Sequence, residues 1–247
     1  MPPRLRPEFG GTRSVVKARH ALLTPESHER ITQPGWSDCE FVTLISPDLG
    51  AKFAMSLVEA QGSLTAPAAM AGIARFLFCL EGDVALDGVR IPAEGFAFCP
   101  PDDKREIALS KNARLVLFEW RFVAQDEVPG PLSGRLGDIA GQPLRGDDRL
   151  RVQKMLPVDP GFDCEFNVMT FDPGASLAYV EVHFMEHGLL FLDGGGIYRL
   201  DEDWMPVTEG DAIWMGPHVP QWFGALGREP SRYLIYKNYN RSPLSPR

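Results

Sequence analysis

From Cys39 onward the chain breaks repeatedly into short apolar segments separated by glycine, proline, aspartate or asparagine. Phe41-Val-Thr-Leu-Ile, Phe53-Ala-Met-Ser-Leu-Val, Arg75-Phe-Leu-Phe-Cys-Leu, Gly95-Phe-Ala-Phe-Cys and Arg114-Leu-Val-Leu-Phe-Glu-Trp follow one another in this way. Such segments are too short for ordinary helices but suit strands joined by tight turns. The 24 Gly and 22 Pro in 247 residues supply those turns. An all-β fold is therefore expected.

The two halves of the chain also carry the same punctuation. Phe76-Leu-Phe-Cys-Leu-Glu-Gly82, then Pro92-Ala-Glu-Gly95 and Cys99-Pro, matches Leu189-Leu-Phe-Leu-Asp-Gly194, then Pro206-Val-Thr-Glu-Gly210 and Gly216-Pro. A shared order of strand, acid-Gly turn, strand, Pro-x-x-Glu-Gly, strand and Pro points to duplication. Two tandem barrels follow, with an N-terminal arm over 1–35, a first barrel over 36–125, a linker over 126–150 and a second barrel over 151–247. The linker assignment rests on the Pro- and Gly-rich run between Val128 and Gly146.

Composition limits the partners. A formal charge of −8 argues against a nucleic-acid groove or an anionic membrane surface. No apolar run reaches the roughly 18 residues of a membrane-spanning helix, and no apolar stretch follows the charged N-terminus as in a signal peptide. A cytoplasmic location is the expectation. Cys39, Cys79, Cys99 and Cys164 are widely spaced with no C-x-x-C pair, and read as buried thiols rather than a disulfide framework.

Candidate chemistry gathers in one stretch, where Glu181, His183 and His187 fall within seven residues. Alternation along an extended segment puts Glu181 and His183 on one face, and His187 keeps that parity. Gln221 follows as a fourth candidate. Two imidazoles, a carboxylate and an amide oxygen form a mixed N/O set without thiolate, which suits Mn²⁺ or Fe²⁺ with positions left open. Counting back from Gly82 as from Gly194, the first half has Ala69, Ala71 and Arg75 at the corresponding places. Counting forward from Gly95 as from Gly210, Glu106 answers to Gln221. That set holds no divalent cation, so the first barrel is expected to be structural. His183-Phe-Met-Glu186-His187 also matches a zinc-protease pattern, but that chemistry needs a helix, which Gly188 and Gly194-Gly-Gly oppose. Tyr233 and Lys237 share one face of a last strand. A lysine there is either a working group inside the barrel or a solvated charge outside it.

Gly174-x6-Glu181-x-His183-x3-His187-x6-Gly194, followed by Gly210-x10-Gln221, resembles the paired motifs of cupins, with Glu and His exchanged and Gln in place of the second-motif His. With Ala21-Leu-Leu-Thr-Pro, Leu49-Gly-Ala, Cys99-Pro-Pro and Tyr236-Lys-Asn-Tyr-Asn-Arg, the set resembles the (S)-ureidoglycine aminohydrolases of purine catabolism. The resemblance implies a bicupin of two double-stranded β-helix (jelly-roll) barrels that hydrolyses (S)-ureidoglycine to (S)-ureidoglycolate and ammonia. It implies Mn²⁺, ahead of Fe²⁺, on Glu181, His183, His187 and Gln221. Substrate would be held by Glu181, Gln221, Tyr233 and Lys237, with Lys237 and Glu181 as the catalytic pair. A homo-oligomer is expected, and the N-terminal arm shows no targeting segment such as plant members carry. Two other readings stay open: a different cupin metalloenzyme (a dioxygenase or sugar-acid isomerase), or a catalytically silent binding protein.

Overall fold

The computed structural model describes residues 11–125, 127–242 and 244. The first ten residues of the expected arm lie outside them. The regular structure of the described residues is strand apart from three short 3-10 turns at Pro25–Ser27, Pro47–Leu49 and Leu136–Asp138. The all-β expectation holds because the turn-formers act where they stand. Gly82 (φ +72°) and Gly194 (φ +67°) take left-handed conformations at equivalent strand-to-strand turns.

Two compact units divide the chain, and they interleave along it. One contains residues 29–141, 153–167 and the C-terminal segment from 238. The other contains residues 11–28, 142–152 and 168–237. The segment 126–150 is strand-bearing rather than a bare connection: Leu132–Arg135 pairs with Gly95–Cys99, and Gln142–Leu144 pairs with Asp147–Lys154. Residues at the N-terminus likewise extend a sheet, His20–Leu23 lying antiparallel to Ala212–Met215.

In the first unit Ile73–Glu81 is central, flanked by Gly95–Cys99 and Arg114–Arg121. Alternation splits its side chains. Leu77 and Cys79 enter the barrel with Phe41, Val58, Ala97 and Leu117. Phe76 takes the opposite face and stacks on Phe166 at 3.8 Å between ring centroids, 7° from parallel. The second unit repeats the plan. His187–Asp193 lies between Ala212–Met215 and Ser231–Lys237, and its inner face joins Leu189, Phe191, Tyr198, Ile213, Phe223 and Tyr233 in one core. All four cysteines are buried free thiols, as their spacing suggests.

The registers match the repeats residue by residue. Arg75 stands opposite Cys99 on one side and Glu119 on the other; His187 stands opposite Met215 and Lys237. Arg75 is thus the counterpart of His187, and Glu119 of Lys237. Counting from the glycines misplaces one position, because one more residue lies between Gly210 and Met215 than between Gly95 and Cys99. Leu86 pairs with Ile107 where Tyr198 pairs with Phe223. Two residues earlier, Gln221 therefore corresponds to Arg105, not to Glu106.

Candidate metal centre

Glu181, His183, His187 and Gln221 all belong to the second unit, but the chain brings them together differently from a single extended segment. Glu181 makes an isolated antiparallel bridge to Gln221, with Glu181 N donating to Gln221 O at 2.8 Å and Gln221 N to Glu181 O at 3.0 Å. Residues 182–186 then leave regular structure, and His187 opens the next strand. The loop is pinned where His218 N donates to the His183 carbonyl at 2.6 Å. No helix carries His183 and His187, and Glu186 accepts a bond from Trp214 Nε1 at 2.9 Å, so the protease geometry is absent from this stretch.

The Gln221 amide nitrogen lies 2.8 Å from His183 Nε2 and 3.4 Å from His187 Nδ1, and the two rings are 4.7 Å apart. His183 Nδ1 and His187 Nε2 are buried with no hydrogen-bond partner. Burial, then the Lys237 charge and His183, pushes the His187 imidazole well below its usual range. Burial also lowers His183, against the Glu181 charge. Two imidazoles kept neutral, with nitrogens unsatisfied in a buried site, fit the requirements of a bound cation. Glu181 is less committed. Its carboxylate lies 3.6 Å from Arg145, whose guanidinium also covers the Tyr179 ring at 4.6 Å. Among the described residues no three His, Cys, Asp or Glu side chains form a metal-binding group; the convergence is of two imidazoles and an amide.

Lys237 is directly across the strand pair from His187 and shares the parity of Tyr233 and Ile235, which face the barrel core. The inner face is the one occupied. Tyr233 is 1% exposed, its ring packed on Phe171, Phe191 and Phe223, and burial raises its hydroxyl well above the usual phenol range. Sequence reasoning missed Tyr198. Its hydroxyl donates to Gln221 Oε1 at 3.2 Å inside the core, and burial followed by the Glu181 charge raises it too. Alternation along Gly195–Leu200, two positions from the residue opposite Gln221, was the available signal. His20, which carries no sequence signal, is buried and lies 3.0 Å from Asp203. His218 is exposed, as a loop residue.

Barrels of this form, one carrying the imidazole pair and the other not, define a tandem cupin. Residues 167–236 match the family model described as Cupin domain. The chain is 38% identical over 252 residues to the (S)-ureidoglycine aminohydrolase of Arabidopsis thaliana, with 98% of this chain and 83% of the relative covered. It is 31% identical to the Escherichia coli protein of the same name, with 96% and 95% covered. The chain belongs to the (S)-ureidoglycine aminohydrolase family and is an enzyme of that family. The crystal structure of protein Ylba from E. coli superposes with a TM-score of 0.81 at 29% identity, over 94% of this chain and 96% of that one. Oxalate decarboxylase from Bacillus subtilis shares the fold, at 11% identity and a TM-score of 0.67 over 94% and 79%.

Proposed function

We propose that the enzyme hydrolyses (S)-ureidoglycine to (S)-ureidoglycolate and ammonia, with a divalent metal, Mn²⁺ ahead of Fe²⁺, held by Glu181, His183, His187 and Gln221. The observation that carries this reading is the meeting of His183 and His187 on the Gln221 amide, each ring keeping its other nitrogen buried and without a hydrogen-bond partner, in a chain of this family. A metal held there would supply positive charge to neutralise and orient the substrate carboxylate. Glu181, bridged to Gln221, serves both as ligand and as proton acceptor from the attacking water. Lys237 stands across from His187 and delivers a proton to the departing amine. Tyr233 and Gln221 complete the substrate contacts. The aromatic core beneath the site lowers the local dielectric around the buried His187 and Gln221 and strengthens the polar interactions there.

The partner in this reading is a small molecule. Among the described residues no helix is long and apolar enough to cross a membrane. A cytoplasmic homo-oligomer completes the proposal, and sedimentation at micromolar protein reads the assembly directly.

The test is ammonia release from freshly generated ureidoglycine, with metal-stripped protein and with Mn²⁺ restored. Stereoselective, Mn²⁺-dependent release above the spontaneous rate is expected. Bound Mn²⁺ without acceleration would remove the substrate assignment and leave the site. Lys237→Met is expected to retain Mn²⁺ and lower turnover by at least about a hundredfold, the lower end of a proton-transfer contribution; full turnover in that variant would reject the role given to Lys237.

A further inference from the structure

The barrel without imidazoles holds a pocket of about 210 Å³, equal to the liquid share of roughly seven waters. Its walls include Ala69, Arg75 and Arg105. Arg75 is the counterpart of His187 and Arg105 of Gln221 by strand register, and Ala69 answers to Glu181 by count from the glycines. Where one barrel gathers two neutral imidazoles, an amide and a carboxylate, the other gathers two guanidiniums, each paired with a carboxylate on one edge.

Both guanidiniums are held in place and only partly used. Arg75 is 6% exposed; its Nε donates to Glu119 at 2.8 Å and its Nη1 to the Pro67 carbonyl at 2.5 Å. Arg105 grips Asp103 through Nε and Nη2, at 2.9 and 2.7 Å. Those bonds leave Arg75 Nη2 and Arg105 Nη1 for another acceptor. Lys104 at the rim is exposed, with no ion pair among the described residues. Three cations line the pocket with two carboxylates, Asp103 and Glu106, and a third carboxylate, Glu119, pairs with Arg75 from outside the lining. Asp103 is held by Arg105, and Glu106 accepts from the Thr65 hydroxyl at 3.4 Å. Burial pushes the neighbouring Cys99 thiol up to about 12, so it adds no negative charge at neutral pH.

We propose that this pocket binds a small carboxylate, taken up by Arg75 and Arg105 at the place where the other barrel presents His187 and Gln221. Guanidinium groups already fixed by their ion pairs offer charge-assisted N–H donors to a carboxylate and lose little freedom on binding it. The volume admits a molecule of a few heavy atoms, well below the usual range of drug-sized pockets. Alanine, proline and isoleucine side chains complete the walls, which favours a short apolar stem behind the charged group.

This inference is independent of the reaction assigned to the other barrel, and its test is made on metal-stripped protein. Glycolate and malonate are titrated calorimetrically, with acetamide as a neutral probe of similar size. Saturable carboxylate binding with one site per chain is expected, unchanged in His187→Ala. The exposed Lys104→Met variant should weaken it about tenfold, as expected for loss of one charged hydrogen bond. Arg105→Met should abolish it while the thermal transition remains cooperative. No carboxylate binding in the wild type overturns the proposal. So does affinity unchanged in both Lys104→Met and Arg105→Met, or binding lost in His187→Ala but kept in Arg105→Met.

Discussion

The Tyr198 hydroxyl is the residue-scale contact that sequence reading overlooked. It donates to Gln221 Oε1 from a fully buried ring, so it governs which way the amide faces the two imidazoles. Partners of this kind commonly change metal affinity by about 10- to 100-fold. To ligate, the amide must present Oε1 to the metal and Nε2–H to the Tyr198 oxygen instead; Tyr198→Phe removes that acceptor and is expected to weaken Mn²⁺ binding by roughly tenfold, at the lower end of that range, with the fold intact. Calorimetric Mn²⁺ titration of the apoprotein measures this, and equal affinity in the variant would give Tyr198 a packing role alone. The thiols give a second residue-scale prediction. Burial, reinforced by Asp83, pushes Cys79 up to about 11, and burial with Asp103 takes Cys99 to about 12. A folded-state pKa above the unfolded one favours the protonated thiol in the native protein. The associated stability is complete below the unfolded thiol value near 9 and is lost as pH rises toward 11 to 12. Urea melts at pH 8, 9.5 and 10.5 should show a falling midpoint, and the native protein should resist thiol labelling at pH 8.

Among the elements, the hairpins set how closely strands can approach. A Cβ on Gly196 would lie 2.0 Å from the Gly224 carbonyl oxygen, on the strand that begins with Gln221. Gly88, by contrast, turns with positive φ, at +77°, and a Cβ there meets nothing within 4 Å. The two substitutions separate crowding from backbone strain. Gly88→Ala should cost about 1 kcal/mol, the penalty of a left-handed alanine. Gly196→Ala should cost about 3 kcal/mol or more, because backbone must move. Chemical denaturation of both variants checks the order, and similar losses would contradict the packing argument. The strand registers were not legible from alternation. His183 sits in an irregular loop, held near His187 by the bridge from Glu181 to Gln221 and by His218 N on its carbonyl. A one-residue difference between the repeats shifted the counterpart of Gln221 from Glu106 to Arg105.

At the scale of the whole molecule, the N-terminal segment is part of the barrel that carries the candidate site. Arg13 donates to both oxygens of Asp211, at 2.7 and 2.8 Å, and the Asp211 side chain is fully buried. Asp211 also accepts from Thr208 N at 2.9 Å. Removing Arg13 strands a carboxylate in the interior, so Arg13→Ala should destabilise by about 3 kcal/mol, the lower end for a broken buried pair. Burial already raises Asp211 above its ordinary range against the pull of Arg13, and the variant raises it further. The sign follows: a raised carboxyl favours the folded state when protonated, so the deficit should shrink as pH falls from 7 toward 4. Urea melts at both pH values, with limited proteolysis of the strand His20–Leu23, would detect the loss and its reversal; a deficit independent of pH would mean that Asp211 is not its source.

The sequence alone determined the fold class, the duplication and the candidate ligands, because these depend on local signals. Glycine and proline limit segment length wherever they stand, alternation assigns faces within a strand, and Glu181-x-His183-x3-His187 is contiguous. Tertiary structure decided what joins across distance. Gln221 reaches the imidazoles through strand pairing, Lys237 faces inward because Tyr233 and Ile235 pack in the core, and Arg13 reaches Asp211 across almost the whole chain. It also decided that Arg75 and Arg105 line one pocket of the first barrel. Registers depend on turn lengths and on which faces must be buried together, and those are properties of the closed barrel rather than of any one segment.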